Sequence, residues 1–347
     1  MRIIGCDLHC RQQTLAVLTV ETGEVEKVVL RHEGDRVREF YSGLPGPVRV
    51  GIEATGSMQW FLELMEEVGV ECLVGHPAKI RAHEPRKQKN DWRDALLLMH
   101  LLAEGRFPTI WMPSAEQRDV RAMLRHRHQW VRMRVRIQNA LQSIALSHGL
   151  RRGSGLWSKD GQASLLHLSL LPHTEAGRNE LMAMYRQLGA DIEALDRTAA
   201  ERAEQRVRSR LLMTHPGVGP ITALATEVYL GDPTRFADGK AVASYVGMIP
   251  EEDSSGKRRR LGKLTKQGNA MLRFLWCEAV GHAVRKDAEM KRFYRRKLAQ
   301  KGLGKAKVAA GRKLGIRLWI MLRDEIDYYE FCRRGRQCGE AHAEKPD

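Results

Sequence analysis

No stretch of this chain of 347 residues approaches the ~20 consecutive apolar residues that a membrane-spanning helix needs, so no membrane partner is expected. The first residues, MRIIGCDLHC, run straight into a strand-like segment and lack the apolar core of a secretory signal. A cytoplasmic protein is expected, associated with the nucleoid when acting on DNA. The six cysteines (Cys6, Cys10, Cys72, Cys277, Cys332 and Cys338) are scattered. Neither close pair has a partner pair at zinc-ligand spacing, so reduced structural thiols are expected rather than a metal–thiolate site. A G-x-x-x-x-G-K-[ST] phosphate loop is also missing, and with it the usual motif of ATP-driven chemistry.

With 43% hydrophobic residues the chain has enough apolar material for the cores of two or three domains. Its net charge is +16, unevenly spread. Residues 254–323 hold 21 Lys and Arg against 3 acids, a balance of +18 that leaves the remainder at −2. Cations concentrated in this way are the footprint of a polyanion, most often nucleic acid, because each phosphate neutralised releases counterions. A highly soluble surface is the plainer alternative.

The first 112 residues alternate between strand and helix patterns. Strands are expected at residues 2–6, 13–20, 25–30, 48–52 and 70–74, and helices at 35–41, 57–68 and after Pro77. The turn at 21–24, with Gly23, predicts an antiparallel meander. Asp7 and Glu53 stand at strand C-terminal ends, the edge where ligands collect in open α/β sheets. Asp91 and Asp94, three apart, open a helix with apolar positions at Leu97, Leu98, Leu101 and Leu102, and they share a helix face. Hard divalent cations take oxygen ligands, and two of them can activate a nucleophile and stabilise a leaving oxygen in phosphoryl transfer. Taken singly, each acid has a plainer explanation: Asp91 and Asp94 suit a helix N-terminus, and Glu53 a strand end.

A capping-box sequence at Ser114 and Gln117 starts a long helix to about His148. Met123, Trp130, Ile137 and Ile144 recur every seven residues in it, as do Leu181, Leu188 and Leu195 in a second helix after the break at 151–161. That spacing fits coiled-coil pairing, either between chains or within an intramolecular hairpin. THPGVGP, at 214–220, is a turn before a helix at 221–229. It reads either as a helix-hairpin-helix element whose backbone amides approach phosphate or as a plain helix-turn. Near the C-terminal third, Ser254 and Ser255 precede a glycine and the cations Lys257, Arg258, Arg259 and Arg260. Taken alone, this reads as a solvated phosphate-binding loop. Lys263, Lys266, Asn269 and Arg273 follow it toward a helix.

The segments GCDLH, GIEATGS, HPAKIRAHEPRKQKNDWRDA, HPGVGPITALATEVYLGDPTRF, YVGMIP, SSGKRRRLGKLTKQGN and GRKLGIRLWIML occur in that order. Together they resemble the DEDD transposases of bacterial and archaeal insertion sequences, the insertion-sequence family numbered one hundred and ten, to which the Piv invertase is related. The resemblance covers essentially residues 1–330. It implies a RuvC-like (ribonuclease H-like) α/β domain at 1–112 with Asp7, Glu53, Asp91 and Asp94 as an acidic tetrad for Mg²⁺ or Mn²⁺. It implies a helical coiled-coil region at 113–205 that mediates self-association, and a mostly α C-terminal transposase domain at 206–330, followed by a polar tail at 331–347. It also implies Ser255 as a nucleophile that forms a phosphoserine link, with the following cations and Lys263, Lys266, Asn269 and Arg273 against nucleic acid. The expected partners are the element's DNA ends and target, a structured bridge RNA as guide, and further copies of the chain as a dimer or tetramer. The alternatives are a junction-resolvase-like nuclease that hydrolyses with water under metal, and an inactive nucleic-acid-binding protein. The three acids Glu251, Glu252 and Asp253, directly before the serines, are unfavourable to approaching DNA unless cations face them.

Overall fold

Residues 2–8 and 12–19 are largely apolar and β-branched, so each run forms a strand that buries side chains on both of its faces, whereas residues 25–31 form a mostly exposed strand. The structure, a computed structural model, describes residues 1–84, 90–151, 153–253 and 260–343. The chain divides into two units, Met1–Met112 and Pro113–Asp347.

The first unit contains β1 (Arg2–Leu8), β2 (Gln12–Thr19), β3 (Val25–Arg31), α1 (Arg36–Gly43), β4 (Val48–Glu53), α2 (Gln59–Glu67), β5 (Glu71–Gly75), α3 (Pro77–Arg81) and α4 (Asp91–Ala103). Its strands form one sheet in the order β3-β2-β1-β4-β5. β1, β2 and β3 run antiparallel, as the turn at Gly23 predicts, and β1, β4 and β5 run parallel. Alternation sorts β1 onto two cores. Ile4, Cys6 and Leu8 pack with Tyr41 of α1 and Phe61 of α2, whereas Ile3 packs with Ala95, Met99 and Leu102 of α4. Gly5 faces α4 as well. A Cβ there would collide with the Ala95 carbonyl oxygen and the Met99 amide, so the missing side chain lets α4 lie directly on the strand. Gly51, the register partner of Gly5 on β4, faces Leu102 and Phe107 in the same way.

The second unit is helical apart from one hairpin: α5 (Ala115–Ser147), α6 (Lys159–Leu166), α7 (Pro172–Glu204), α8 (Val207–Met213), α9 (Pro220–Leu230), α10 (Gly239–Tyr245), β6 (Pro250–Glu252), β7 (Leu261–Leu264), α11 (Ala270–Lys286), α12 (Ala288–Arg323) and α13 (Tyr328–Ala343). The capping box forms as expected, with the Ser114 hydroxyl accepting from the Gln117 amide at 3.2 Å and the Gln117 side chain accepting from the Ser114 amide at 3.1 Å. α5 and α7 are antiparallel within the chain. Val120 and Leu124 share a core with Ala199 and Ala203, Arg127 pairs with Asp196, and Leu141 and Ala145 pack with Met182. The fully buried seam therefore lies beside the heptad set, and Met123, Trp130, Ile137 and Ile144 are only half-buried at its flank. Ala199 and Ala203 also join the core of Leu224, Trp276 and Leu318, so α5 and α7 share a core with α9, α11 and α12.

Two glycines carry this packing. Gly217 in THPGVGP adopts φ 99, and a Cβ there would strike the α11 backbone at Ala283. The turn is thus fitted closely to α11. Gly302 (φ 76, ψ 173) breaks α12 into two arms. The arms fold back on each other, with Arg317 pairing with Asp287 and Glu289 and Lys313 with Glu289 at 2.5 Å. No described helix is long and apolar enough to cross a membrane.

Replacing Gly5 with Ala is expected to destabilise the N-terminal unit by about 1–3 kcal/mol through overpacking. Gly43→Ala, in α1 where nothing lies within 4 Å of the added Cβ, should be neutral to stabilising by up to about 1 kcal/mol. Urea denaturation of the two variants compares them directly.

Candidate metal centre and nucleic-acid surface

The face of β1 that holds Gly5 also holds Asp7, because side chains two residues apart point the same way. α4 is pressed onto Gly5 through Ala95 and Met99, so the helix start, one turn earlier, stands at the end of β1. The Asn90 side chain caps that start, accepting from the Arg93 amide at 2.9 Å. Asp91 and Asp94 occupy the first turn, where the helix dipole favours anions. Glu53 ends β4 one step past the Cys6–Ile52 register pair, on the face set by Gly51.

The side-chain geometry brings these acids together unequally. Ligand atoms of Asp7, His9 and Asp91 all lie within 4.8 Å of one another. His9 Nε2 is 3.1 Å from an Asp7 carboxylate oxygen and 3.7 Å from one of Asp91. Asp94 stands near enough to act on Asp7. Burial pushes the Asp7 carboxyl above the usual carboxylate range; His9 opposes this, while Asp94 and Asp91 add to it. Glu53 is 37% exposed, and its carboxylate lies 3.9 Å from the Arg81 guanidinium, outside the three-residue group. Sequence reasoning misses His9, although it continues the two-residue period of Gly5 and Asp7. The basic residues 86–89 lie outside the described residues.

A carboxylate raised first by burial, with two further acids adding to the rise, is stabilised in its ionised form by a nearby positive charge, and its donor set is oxygen with one imidazole nitrogen. That chemistry fits a divalent cation.

In the second unit, β6 and β7 pair antiparallel, and the Asp253 amide donates to the Arg260 carbonyl at 3.0 Å. Ser254, Ser255, Lys257, Arg258 and Arg259 fall between these two residues and lie outside the described residues. The motifs YVGMIP and TKQGN meet at the base of this hairpin. Gly247 (φ 71) and Gly268 (φ 112) lie in left-handed turns packed backbone to backbone. Two of the residues expected at nucleic acid brace this base: the Asn269 side chain caps α11 by accepting from the Leu272 amide at 2.8 Å, and Arg273 donates to the Val246 carbonyl at 2.8 Å and the Gly268 carbonyl at 3.2 Å. Lys263 and Lys266 are exposed.

A cleft of about 980 Å³ opens between β7 and the two arms of α12. Leu264, Phe293, Val308 and Ile316 give it an apolar wall, and Lys263, Lys301, Lys305 and Arg312 line it with positive charge.

The family described as "Transposase IS116/IS110/IS902 family" matches residues 209–295, and a DEDD family described as "Transposase" matches residues 4–148. A Pseudomonas aeruginosa protein named "Probable family 20 transposase" is 28% identical over 343 residues, covering 94% of this chain and 98% of the relative. The "Transposase for insertion sequence element IS1111A" of Coxiella burnetii is 24% identical over 307 residues, 84% of this chain and 83% of the relative. The Yersinia enterocolitica "Transposase for insertion sequence element IS1328" is 24% identical over 251 residues, 71% and 74%. The N-terminal mixed sheet is consistent with a RuvC-like α/β start.

The Asp7 environment makes a pH-dependent prediction. Its carboxyl titrates above the ordinary value in the folded state, so ionising it costs more folded than unfolded. Stability is therefore lost as pH rises from about 4 through the raised value. In metal-free protein, Asp7→Asn should raise the melting temperature at pH 7.5, and the gain should disappear at pH 4. Thermal melts in chelator at the two pH values measure it.

Proposed function

This chain belongs to the IS116/IS110/IS902 family of DEDD transposases, enzymes that cut and rejoin DNA, and we propose that it does so with a divalent-cation site on Asp7, Glu53, Asp91 and Asp94 and with Ser255 as nucleophile. The observation that carries the metal half is the convergence of Asp7, His9 and Asp91 at the end of β1. Mg²⁺ or Mn²⁺ bound there would supply Lewis-acid stabilisation of phosphate charge.

The serine half rests on the resemblance of SSGKRRRLGKLTKQGN to the family's serine motif. The Ser255 Oγ attacks a DNA phosphorus; the new O–P bond forms as the bond to the 3′ oxygen breaks, and the Oγ proton passes to that oxygen. The products are a 5′-phosphoserine link and a free 3′-OH. A second 3′-OH then attacks the phosphoserine and returns Ser255 to its hydroxyl form, so the bond energy is conserved without ATP. Cations among Lys257, Arg258, Arg259 and Arg260 stabilise the developing phosphorane charge, as fixed charge does in such sites.

Target and donor recognition is assigned to a guide RNA paired with DNA, with Lys263, Lys266 and the α12 cleft holding nucleic-acid backbone. The local charge supports this: Lys263, Lys301, Lys305 and Arg312 line one cleft. Self-association through α5 and α7 is supported by Met133, Val135, Leu146 and Met184, apolar side chains that this pair leaves exposed. Because the acids and Ser255 belong to different units, an oligomer in which one copy's serine completes another's acidic site is a natural form of the enzyme.

A denaturation-resistant protein–DNA adduct should disappear in Ser255→Ala and persist in Ser254→Ala. Metal-dependent cleavage that survives Ser255→Ala, with no adduct, overturns the serine half in favour of a water-using nuclease. Joint replacement of Lys301, Lys305 and Arg312 by Ala should weaken DNA binding to a similar degree across sequences. It should also flatten the dependence of log affinity on log salt by about 1 for each phosphate that is no longer neutralised, as read by anisotropy over a salt series.

A further inference from the structure

We infer that His9 is a metal ligand through Nε2, making the cation site a mixed carboxylate–imidazole set that holds Mn²⁺ in preference to Mg²⁺. The inference rests on the reading of Asp7 and Asp91 as metal-binding acids and adds a nitrogen donor to it.

The backbone fixes where the imidazole stands. His9 follows the last residue of β1, and its amide donates to the Gln12 carbonyl at 3.0 Å, closing the tight connection to β2. The two-residue period then turns it to the same face as Asp7. The separations decide what this proximity means. Six ligands around a cation at ~2.1–2.2 Å have neighbours about 3.0 Å apart and opposite ligands about 4.3 Å apart. Nε2 lies 3.1 Å from Asp7 and 3.7 Å from Asp91, and the three ligand atoms are within 4.8 Å of one another. One cation can reach all three with little side-chain movement. The imidazole is half exposed, which leaves the approach from solvent open.

The same distances would also suit a protonated His9 acting as counter-ion to two carboxylates. The two roles differ in the sign of their effect on metal affinity. A counter-ion competes with the metal, so removing it strengthens binding of every divalent cation. A ligand contributes a bond, so removing it weakens binding. The weakening should be greater for Mn²⁺, because imidazole nitrogen suits later first-row ions whereas Mg²⁺ favours oxygen and water.

The test is calorimetric titration of the full-length protein with Mn²⁺ and with Mg²⁺, together with pulsed electron-spin resonance of the Mn²⁺-loaded wild type. Expected are nitrogen modulation of the Mn²⁺ signal in the wild type and its loss in His9→Ala. The variant should also lose at least about tenfold in Mn²⁺ affinity, with a smaller change for Mg²⁺. Absence of nitrogen coupling in the wild type, or unchanged or tighter Mn²⁺ binding in His9→Ala, overturns the inference. The spin-resonance arm needs no variant, so a misfolded substitution does not cloud it. Asp7→Ala separates the two levels: if it leaves Mn²⁺ binding intact, the acidic site itself is misread. If it abolishes binding while His9→Ala does not, only the nitrogen ligand fails.

Discussion

The N-terminal unit depends on the direct contact of α4 with β1 over Gly5. With no side chain there, the Ala95 carbonyl and the Met99 amide can lie against the strand, and the helix start arrives at the strand end. A helix held off by an ordinary side chain would carry Asp91 and Asp94 away from Asp7. The glycine weakens the strand locally, since it has no side chain to pack and much backbone entropy to lose. What it provides is a partly buried Asp7 with other acids close by: burial raises its carboxyl first, and Asp94 and Asp91 add to the rise. Packing energy from Ile3, Met99 and Leu102 offsets the cost of burying and gathering these acids.

The second unit relies on a buried ion pair. Arg317 and Asp287 are 4% and 5% exposed, so neither is solvated, and each needs the other. Burial alone pushes the Asp287 carboxyl up. The Met290 amide, Arg317 and the Tyr328 hydroxyl more than offset this and bring it below the usual range. Buried pairs add little net stability compared with apolar packing, but breaking one is costly. Here the pair joins the two ends of α12 across the corner at Gly302. It thereby fixes the arms between which the basic cleft opens.

Much of this is readable from the residues, for local reasons. The acids lie at strand and helix ends because alternation and the capping signal are properties of neighbouring residues, and the box at Ser114 and Gln117 forms as written. The meander across Gly23 is equally local. Features set by distant residues are not readable. The corner at Gly302 depends on residues 30 apart meeting at Asp287 and Arg317, and a glycine within a helix-like run does not announce it. The α5–α7 seam runs beside the sevenfold set because Ala199 and Ala203 must also meet α9, α11 and α12. Asn269 and Arg273 read as an amide and a cation near a basic loop, yet they brace the base of the hairpin through backbone groups that only folding brings near. His9 shares the period of Asp7, but its worth appears only when Asp91, from a helix more than eighty positions later in the chain, is in place.

On the proposed reading, the two units divide the electrostatic work. An acidic cluster without its cation repels phosphate, so DNA does not approach the N-terminal site until metal is bound. The cationic second unit attracts the same polymer whether or not metal is present, through interactions that salt screens. Binding then follows ionic strength while chemistry follows the divalent ion, and the two can be varied separately. That separation suits an enzyme whose covalent step must wait for the correct partner strand: nucleic acid can be held and sampled on the basic surface while the acids remain closed to it. The order of events is set by charge, through the same packing over Gly5 that holds Asp7, Asp91 and Asp94 against their mutual repulsion until a cation arrives.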